Sequence, residues 1–203
     1  DRPQPPADRG PEAPFLFVGT LEPRKNLERL LAAYDRFRAG RRAAGLPAPR
    51  LVLVGGRGWK DSRLRQRLEG LVAAGAVTVE DYCDPDRLWD LYGLARALLF
   101  PSLHEGFGFP ILEAMAAGLP VLTADRGAMA EVAGDAALLI DPGETTVMVD
   151  AMARLADDAA LRADLRRRGR ERAAAWDWER TATATRDVYA RVLGRSLPGE
   201  AGR

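Results

Sequence analysis

Cysteine and histidine are almost missing from this 203-residue chain, which has one of each, Cys83 and His104. One cysteine excludes an internal disulfide framework and a multi-cysteine zinc site, and one histidine excludes a multi-histidine metal centre. A reducing, cytoplasmic setting is the expectation for such a chain. An excess of charge is missing as well: 30 Lys+Arg stand against 29 Asp+Glu, a formal net charge of +1. Binding to nucleic acid through bulk charge therefore has no compositional support. No apolar run approaches the roughly 18 to 20 residues that span a bilayer, and Asp1-Arg2-Pro3-Gln4-Pro5-Pro6 has no signal-peptide core.

What is present is 47% hydrophobic residues, enough to build the core of one α/β domain or a little more, at about 150 residues per domain. Residues 1–14 carry Pro3, Pro5, Pro6, Pro11 and Pro14 among charges and read as a linker into that domain. From Phe15 onward short apolar runs alternate with amphipathic ones. Phe15-Leu16-Phe17-Val18 closes at Gly19 and Leu51-Val52-Leu53-Val54 at Gly55-Gly56, as buried parallel strands do. Residues 76–79, 97–100, 120–123 and 136–140 complete six strands. Leu27, Leu30, Leu31, Tyr34 and Phe37 recur at helical spacing behind Asn26, a candidate N-cap, and Leu64, Leu68, Leu71 and Val72, then Leu88, Leu91 and Leu94, repeat the pattern. This rhythm predicts an α/β fold with one Rossmann-like doubly wound parallel sheet and right-handed crossovers, with ligands beyond the carboxyl ends of the strands. Three helices follow at about 144–157, 160–175 and 178–194. The second carries the Arg-rich stretch 166–172, read as a solvated face or, alternatively, as a contact with an anionic membrane surface. The tail at 196–203 reads as loose.

Two loops carry the candidate chemistry. After the fourth strand comes Pro101-Ser102-Leu103-His104-Glu105-Gly106-Phe107-Gly108-Phe109-Pro110, where Pro110 suits a first helical turn and the glycines allow close backbone approach to an anion such as phosphate. Glu113 falls one turn inside that helix among Ile111, Leu112, Met115 and Ala116. A carboxylate buried there needs donors, which a vicinal diol supplies; the alternative is a favourable charge near the helix N-terminus. Glu105 is a candidate site acid or an ordinary loop acid. After the first strand, Gly19-Thr20-Leu21-Glu22-Pro23-Arg24-Lys25-Asn26 sets two cations before a helix N-terminus, against the dipole. Either an anionic ligand explains them or they point to solvent or pair with Glu22 and Glu28.

These stretches, with Glu105 to Glu113 as a Glu-x7-Glu motif, Gly118-Leu119-Pro120-Val121 and Glu131-Val132-Ala133-Gly134-Asp135-Ala136-Ala137, resemble the nucleotide-sugar-binding C-terminal half of the family 4 retaining glycosyltransferases, which have the two-Rossmann glycosyltransferase-B architecture. The resemblance spans about 15–195. It implies that Lys25 and Arg24 hold the donor diphosphate and its growing charge, that Glu105 contacts donor-sugar hydroxyls, that amides of Gly106, Phe107 and Gly108 approach the sugar and diphosphate, and that Glu113 accepts from the ribose. Arg24, Lys25 and Glu105 are thus the expected catalytic residues, and Gly19, Thr20, Gly106, Phe107, Gly108, Glu113, Tyr82 and Cys83 the expected donor-binding ones. Many members carry Arg where this chain has Thr20, which leaves Arg24 to compensate. Tyr82, Cys83 and the loop with Trp59 are candidates for the base pocket, although Trp59 also suits core packing. His104 reads as a loop residue beside the site.

The resemblance also implies a hexosyltransferase that needs no cofactor or metal. Its donor would be a nucleotide sugar, GDP-mannose by likeness to bacterial mannosyltransferases of polysaccharide assembly, or a UDP-hexose. Its acceptor would be a saccharide or lipid-linked, with peripheral contact at the inner face of the membrane in the latter case. The domain would occupy 15–177, and a helix at 178–195 would cross to a missing N-terminal acceptor domain, so that these residues alone transfer no sugar. A non-catalytic nucleotide-sugar-binding module, and a phosphorylase-like or epimerase enzyme, are the alternatives.

Overall fold

Every residue of Phe15–Val18 is apolar because both faces of this strand are covered. In the computed structural model, which describes residues 9–10, 12–56 and 62–194, Phe15 and Phe17 enter one hydrophobic cluster and Leu16 and Val18 the other. Pro3, Pro5, Pro6, Pro11, Trp59 and the tail at 196–203 lie outside the described residues.

The strands β1 (Phe15–Val18), β2 (Leu51–Val54), β3 (Val77–Glu80), β4 (Ala97–Phe100), β5 (Val121–Ala124) and β6 (Leu138–Ile140) form one parallel sheet in the order β3-β2-β1-β4-β5-β6. Ala136 was expected to begin β6, but its N–H bonds Ala133 O in a turn. Between and after the strands lie α1 (Leu27–Ala43), α2 (Ser62–Ala73), α3 (Pro85–Leu94), α4 (Phe109–Ala116), α5 (Gly127–Ala133), α6 (Thr145–Asp157), α7 (Ala159–Ala174) and α8 (Trp178–Leu193). One cluster joins the sheet to α1, α2 and α6, and the other joins it to α3, α4 and α5. The chain leaves β1 toward β2 on one side and returns to β4 on the other, so the loops after β1 and β4 flank the switch point, where open α/β sheets hold ligands.

The Arg-rich stretch in α7 corrects the expectation of a solvated face. Arg166 donates to Gly118 O at 3.2 Å, Arg168 to Asp135 O at 2.6 Å, and Arg172 to Val132 O and Glu131 O at 3.0 and 2.6 Å. Gly169 meets Met115, which lets α7 close on α4. These arginines donate to carbonyls in the last turn of α5 and just after α4 and α5, where helix ends leave acceptors unpaired. By contrast, α8 buries none of its residues, and Trp178 is 75% and Val192 79% exposed.

Gly55, with φ +145°, ends β2 where a Cβ would fall 2.2 Å from the backbone oxygen of Gly19. Gly55→Ala should therefore displace the loop after β1 and destabilise the protein by about 2 kcal/mol or more. Denaturant unfolding measures this, and an unchanged midpoint would show that the backbone accommodates the methyl.

Candidate functional site

The loop after β1 is short of room by design of its sequence. Gly19 has φ +146°, and a Cβ there would meet the Lys25 side chain at 3.0 Å. Pro23–Lys25 forms a single 3-10 turn that ends on Asn26 in the left-handed region, φ 60°. Asn26 was expected to cap α1 with its side chain, and it does not. Its amide instead donates to Pro101 O at 3.1 Å and Pro142 O at 2.7 Å, in the loops after β4 and β6. Leu103 N–H adds a bond to Arg24 O at 2.7 Å. The loops at the switch point are thus tied directly to one another.

This places Glu105 between both cations of the β1 loop. Its Oε2 accepts from Arg24 at 2.5 Å and its Oε1 from Lys25 at 2.7 Å. Lys25 and Glu105 side chains are each 8% exposed, and Arg24 is 44% exposed. Arg24 also donates to Glu22 at 2.9 Å, so one of the two acids expected as neutralising partners is used. The Lys25 ammonium lies 4.7 Å from the centre of the Phe100 ring. Burial pushes the Glu105 carboxyl up, but the hydrogen bonds of Lys25, Ser102 and Arg24 and the charge of Lys25 outweigh it and hold the group below its ordinary value.

Beyond Glu105 the chain turns through Gly106 and Gly108. Gly106 has open space at its α-carbon, whereas Gly108 has φ +105° and precedes α4. At the start of α4 Pro110 has no N–H and Ile111 N–H donates to Gly108 O at 2.9 Å, so what this helix start offers an anion is the Phe109 N–H and the dipole. Glu113 corrects an expectation: it is exposed rather than buried. One oxygen accepts from the Tyr92 hydroxyl at 2.8 Å. Tyr92 is 1% exposed, and burial, with the Glu113 charge beside it, raises its phenol well above the ordinary value. Tyr92 had no motif to mark it. A lone phenol in the apolar stripe of α3 was the available sign.

The remaining expected site residues divide. Thr20 is exposed in the β1 loop. The Phe107 ring packs tilted against Phe109 at 4.7 Å and meets Trp176 edge-on at 5.3 Å, which leaves its backbone for a ligand. Tyr82 and Cys83 follow β3, the edge strand, with Tyr82 85% exposed and Cys83 half-buried; they stand two strands from β1. His104 is exposed beside Glu105. Among the described residues no group of acidic, histidine or cysteine side chains could hold a metal ion, and no helix is long and apolar enough to cross a membrane.

A carboxylate held below its unfolded value stabilises the fold above the unfolded pKa, about 4.3 for Glu, and that contribution is lost as pH falls through the folded value. Stability should therefore fall on acidification below about pH 4.5, with a shallower fall in Glu105→Gln. Denaturant midpoints across pH 3 to 7 (roughly the carboxylate range) test this, and identical slopes in both proteins would count against the ion pairs.

Residues 3–172 match the family model described as Glycosyl transferases group 1. The chain is 37% identical over 174 residues to an O-antigen chain mannosyltransferase B of Escherichia coli, covering 86% of this chain and 45% of that protein. It is 34% identical over 187 residues to a D-inositol 3-phosphate glycosyltransferase of Acidothermus cellulolyticus, covering 88% and 41%. It thus spans less than half the length of these curated relatives. A sucrose-phosphate synthase from Thermosynechococcus elongatus superposes with a TM-score of 0.74 at 29% identity, over 95% of this chain and half of that one. A pneumococcal O-GlcNAc transferase, solved with UDP and GlcNAc, shares the fold with a TM-score of 0.73 at 20% identity, over 94% of this chain and 37% of that one. With its six-stranded sheet as one domain of the glycosyltransferase-B architecture, the chain belongs to the group 1 glycosyl transferases.

Proposed function

We infer that these residues form the donor-binding domain of a retaining glycosyltransferase that takes a hexose from a nucleotide sugar and needs no metal. The observation that carries this reading is the convergence of Arg24 and Lys25 on Glu105 at the switch of the sheet, in the loop whose glycines lead into α4. Two cations in one loop and a helix N-terminus four residues beyond their shared partner Glu105 suit a diphosphate, and they stabilise the charge that grows on it as the bond to the sugar breaks. Glu105 is then positioned for sugar hydroxyls and Glu113, with one oxygen on Tyr92, for the ribose diol. Tyr82 and Cys83 border the space for the base.

The bond between the anomeric carbon and the diphosphate oxygen breaks, the acceptor oxygen bonds that carbon from the same face, and the acceptor proton leaves with the diphosphate. No side chain in the two loops offers a clear nucleophile for a covalent intermediate. Mannose from GDP-mannose is the preferred donor because a relative at 37% identity is a mannosyltransferase. The acceptor is a saccharide or lipid-linked glycan, in a reducing cytoplasmic compartment at or near the inner face of the membrane. The acceptor site belongs to a second domain outside this sequence, and the exposed apolar positions of α8, among them Trp178, Tyr189 and Val192, are surface for that domain. Residues 15–177 are the donor domain.

Calorimetric titration with GDP, UDP and ADP and with their mannose and glucose conjugates tests the reading. At least one diphosphate should bind, and Lys25→Ala should weaken it at least about tenfold, as expected for loss of a charge-assisted phosphate bond. Binding unaffected by Lys25→Ala would overturn the assignment of the clamp. Transfer of sugar by these 203 residues alone would overturn the assignment of the acceptor site to another domain.

A further inference from the structure

Both oxygens of Glu105 are engaged by the cations that the donor reading assigns to the diphosphate. Arg24 is on one oxygen at 2.5 Å and Lys25 on the other at 2.7 Å. With Glu22 on the outer edge of Arg24, the four side chains balance, two acids against two bases. A diphosphate and Glu105 compete for the same N–H groups. If both stayed, like charges would meet in a site where the Glu105 and Lys25 side chains are only 8% exposed.

We propose that Glu105 is an exchangeable counter-ion that makes the site prefer the sugar nucleotide to its nucleoside diphosphate product. With no diphosphate bound, the carboxylate holds Arg24 and Lys25 in register. A sugar nucleotide brings hydroxyl donors that compensate Glu105 for the ion pairs it gives up, and a nucleoside diphosphate brings none at that position. Once the sugar has left, Glu105 returns to the cations and disfavours the product. This rests on the donor-site reading above. It adds to that reading a direction: the same carboxylate that accepts from the sugar opposes the diphosphate when the sugar is gone.

The two acids on Arg24 separate this exchange from a general charge effect. Among the described residues the Glu22 carboxylate forms an ion pair with Arg24 and not with Lys25, and its side chain is 34% exposed. Removing its charge alters the local field without freeing Lys25. Glu105→Gln removes the competitor while keeping the shape and an amide able to accept from a sugar hydroxyl.

The test is parallel calorimetry of GDP, GDP-mannose, UDP and UDP-glucose with the parent chain, Glu105→Gln, Glu105→Asp and Glu22→Gln, each checked for native circular dichroism. Glu105→Gln should bind the matching diphosphate about tenfold more tightly, a change of about 1.4 kcal/mol. Its affinity for the sugar nucleotide should change less than about twofold or fall, so the preference for the sugar nucleotide drops. Glu105→Asp should return toward the parent preference, and Glu22→Gln should change diphosphate binding by less than about threefold. A structural role for Glu105 predicts weaker binding of both ligands. Equal gains in Glu105→Gln and Glu22→Gln, or equal effects on diphosphate and sugar nucleotide, overturn the exchange while leaving the donor site in place. Failure of the parent chain to bind any of the four overturns the donor reading itself.

Discussion

One amide holds the functional end of this sheet together. Asn26 bonds the carbonyls of Pro101 and Pro142 while its own backbone sits in the left-handed region, where non-glycine residues are uncommon and Asn is among the tolerated. It is 3% exposed, so a side chain without the amide would leave two carbonyls in the interior with no donor. Its backbone N–H closes the 3-10 turn on Pro23 O, and its carbonyl accepts the first bond of α1 from Leu30. Three loops, a turn and a helix start therefore depend on a single residue. Lys25 precedes it directly, which is why its ammonium is aimed across Gly19 rather than out to solvent.

Given that knot, the electrostatics of the site follow from a few ångströms. The chain is nearly neutral, and Arg24 and Lys25 are adjacent like charges that oppose the dipole of α1. Glu105 comes from about 80 residues away and is delivered by the parallel pairing of β1 with β4 (order set by topology). The buried pair Lys25–Glu105 is stable there because Arg24, Phe100 and the second carboxylate Glu22 complete its surroundings. A net charge of +1 says nothing about such an arrangement, since it is the placement of single residues that creates the field.

The sheet was legible because strands buried on both faces have no choice but to be apolar throughout, as in Phe15–Val18 and Ala97–Phe100. The switch point followed from the alternation of elements, and with it the position of the loops holding Arg24, Lys25 and Glu105 beside it. What pattern could not convey was long-range reach. Asn26 has the composition of an N-cap, yet its partners lie 75 and 116 positions away. Glu113 has apolar neighbours in sequence, but helical geometry turns it outward from them, toward the hydroxyl of Tyr92. The arginines of α7 look like a solvated face because the carbonyls they bind, at Gly118, Glu131, Val132 and Asp135, belong to other turns.

The same distinction between local pattern and reach governs α8. Sixteen residues of helix are marginal alone in water, and this one has no buried residue to hold it. Two contacts tie down its start. Asp177 caps Arg180 N–H at 2.6 Å, and Trp178 stacks on Phe109 with ring centres 6.3 Å apart. Phe109 packs in turn, tilted, against Phe107, the residue between the two glycines after Glu105, and Phe107 meets Trp176. The file of rings therefore links the start of α8 to the loop that leads from Glu105 into α4. The start of α8 and the loop between Glu105 and α4 share these four rings, so the helix is anchored on that loop rather than on the core of the sheet.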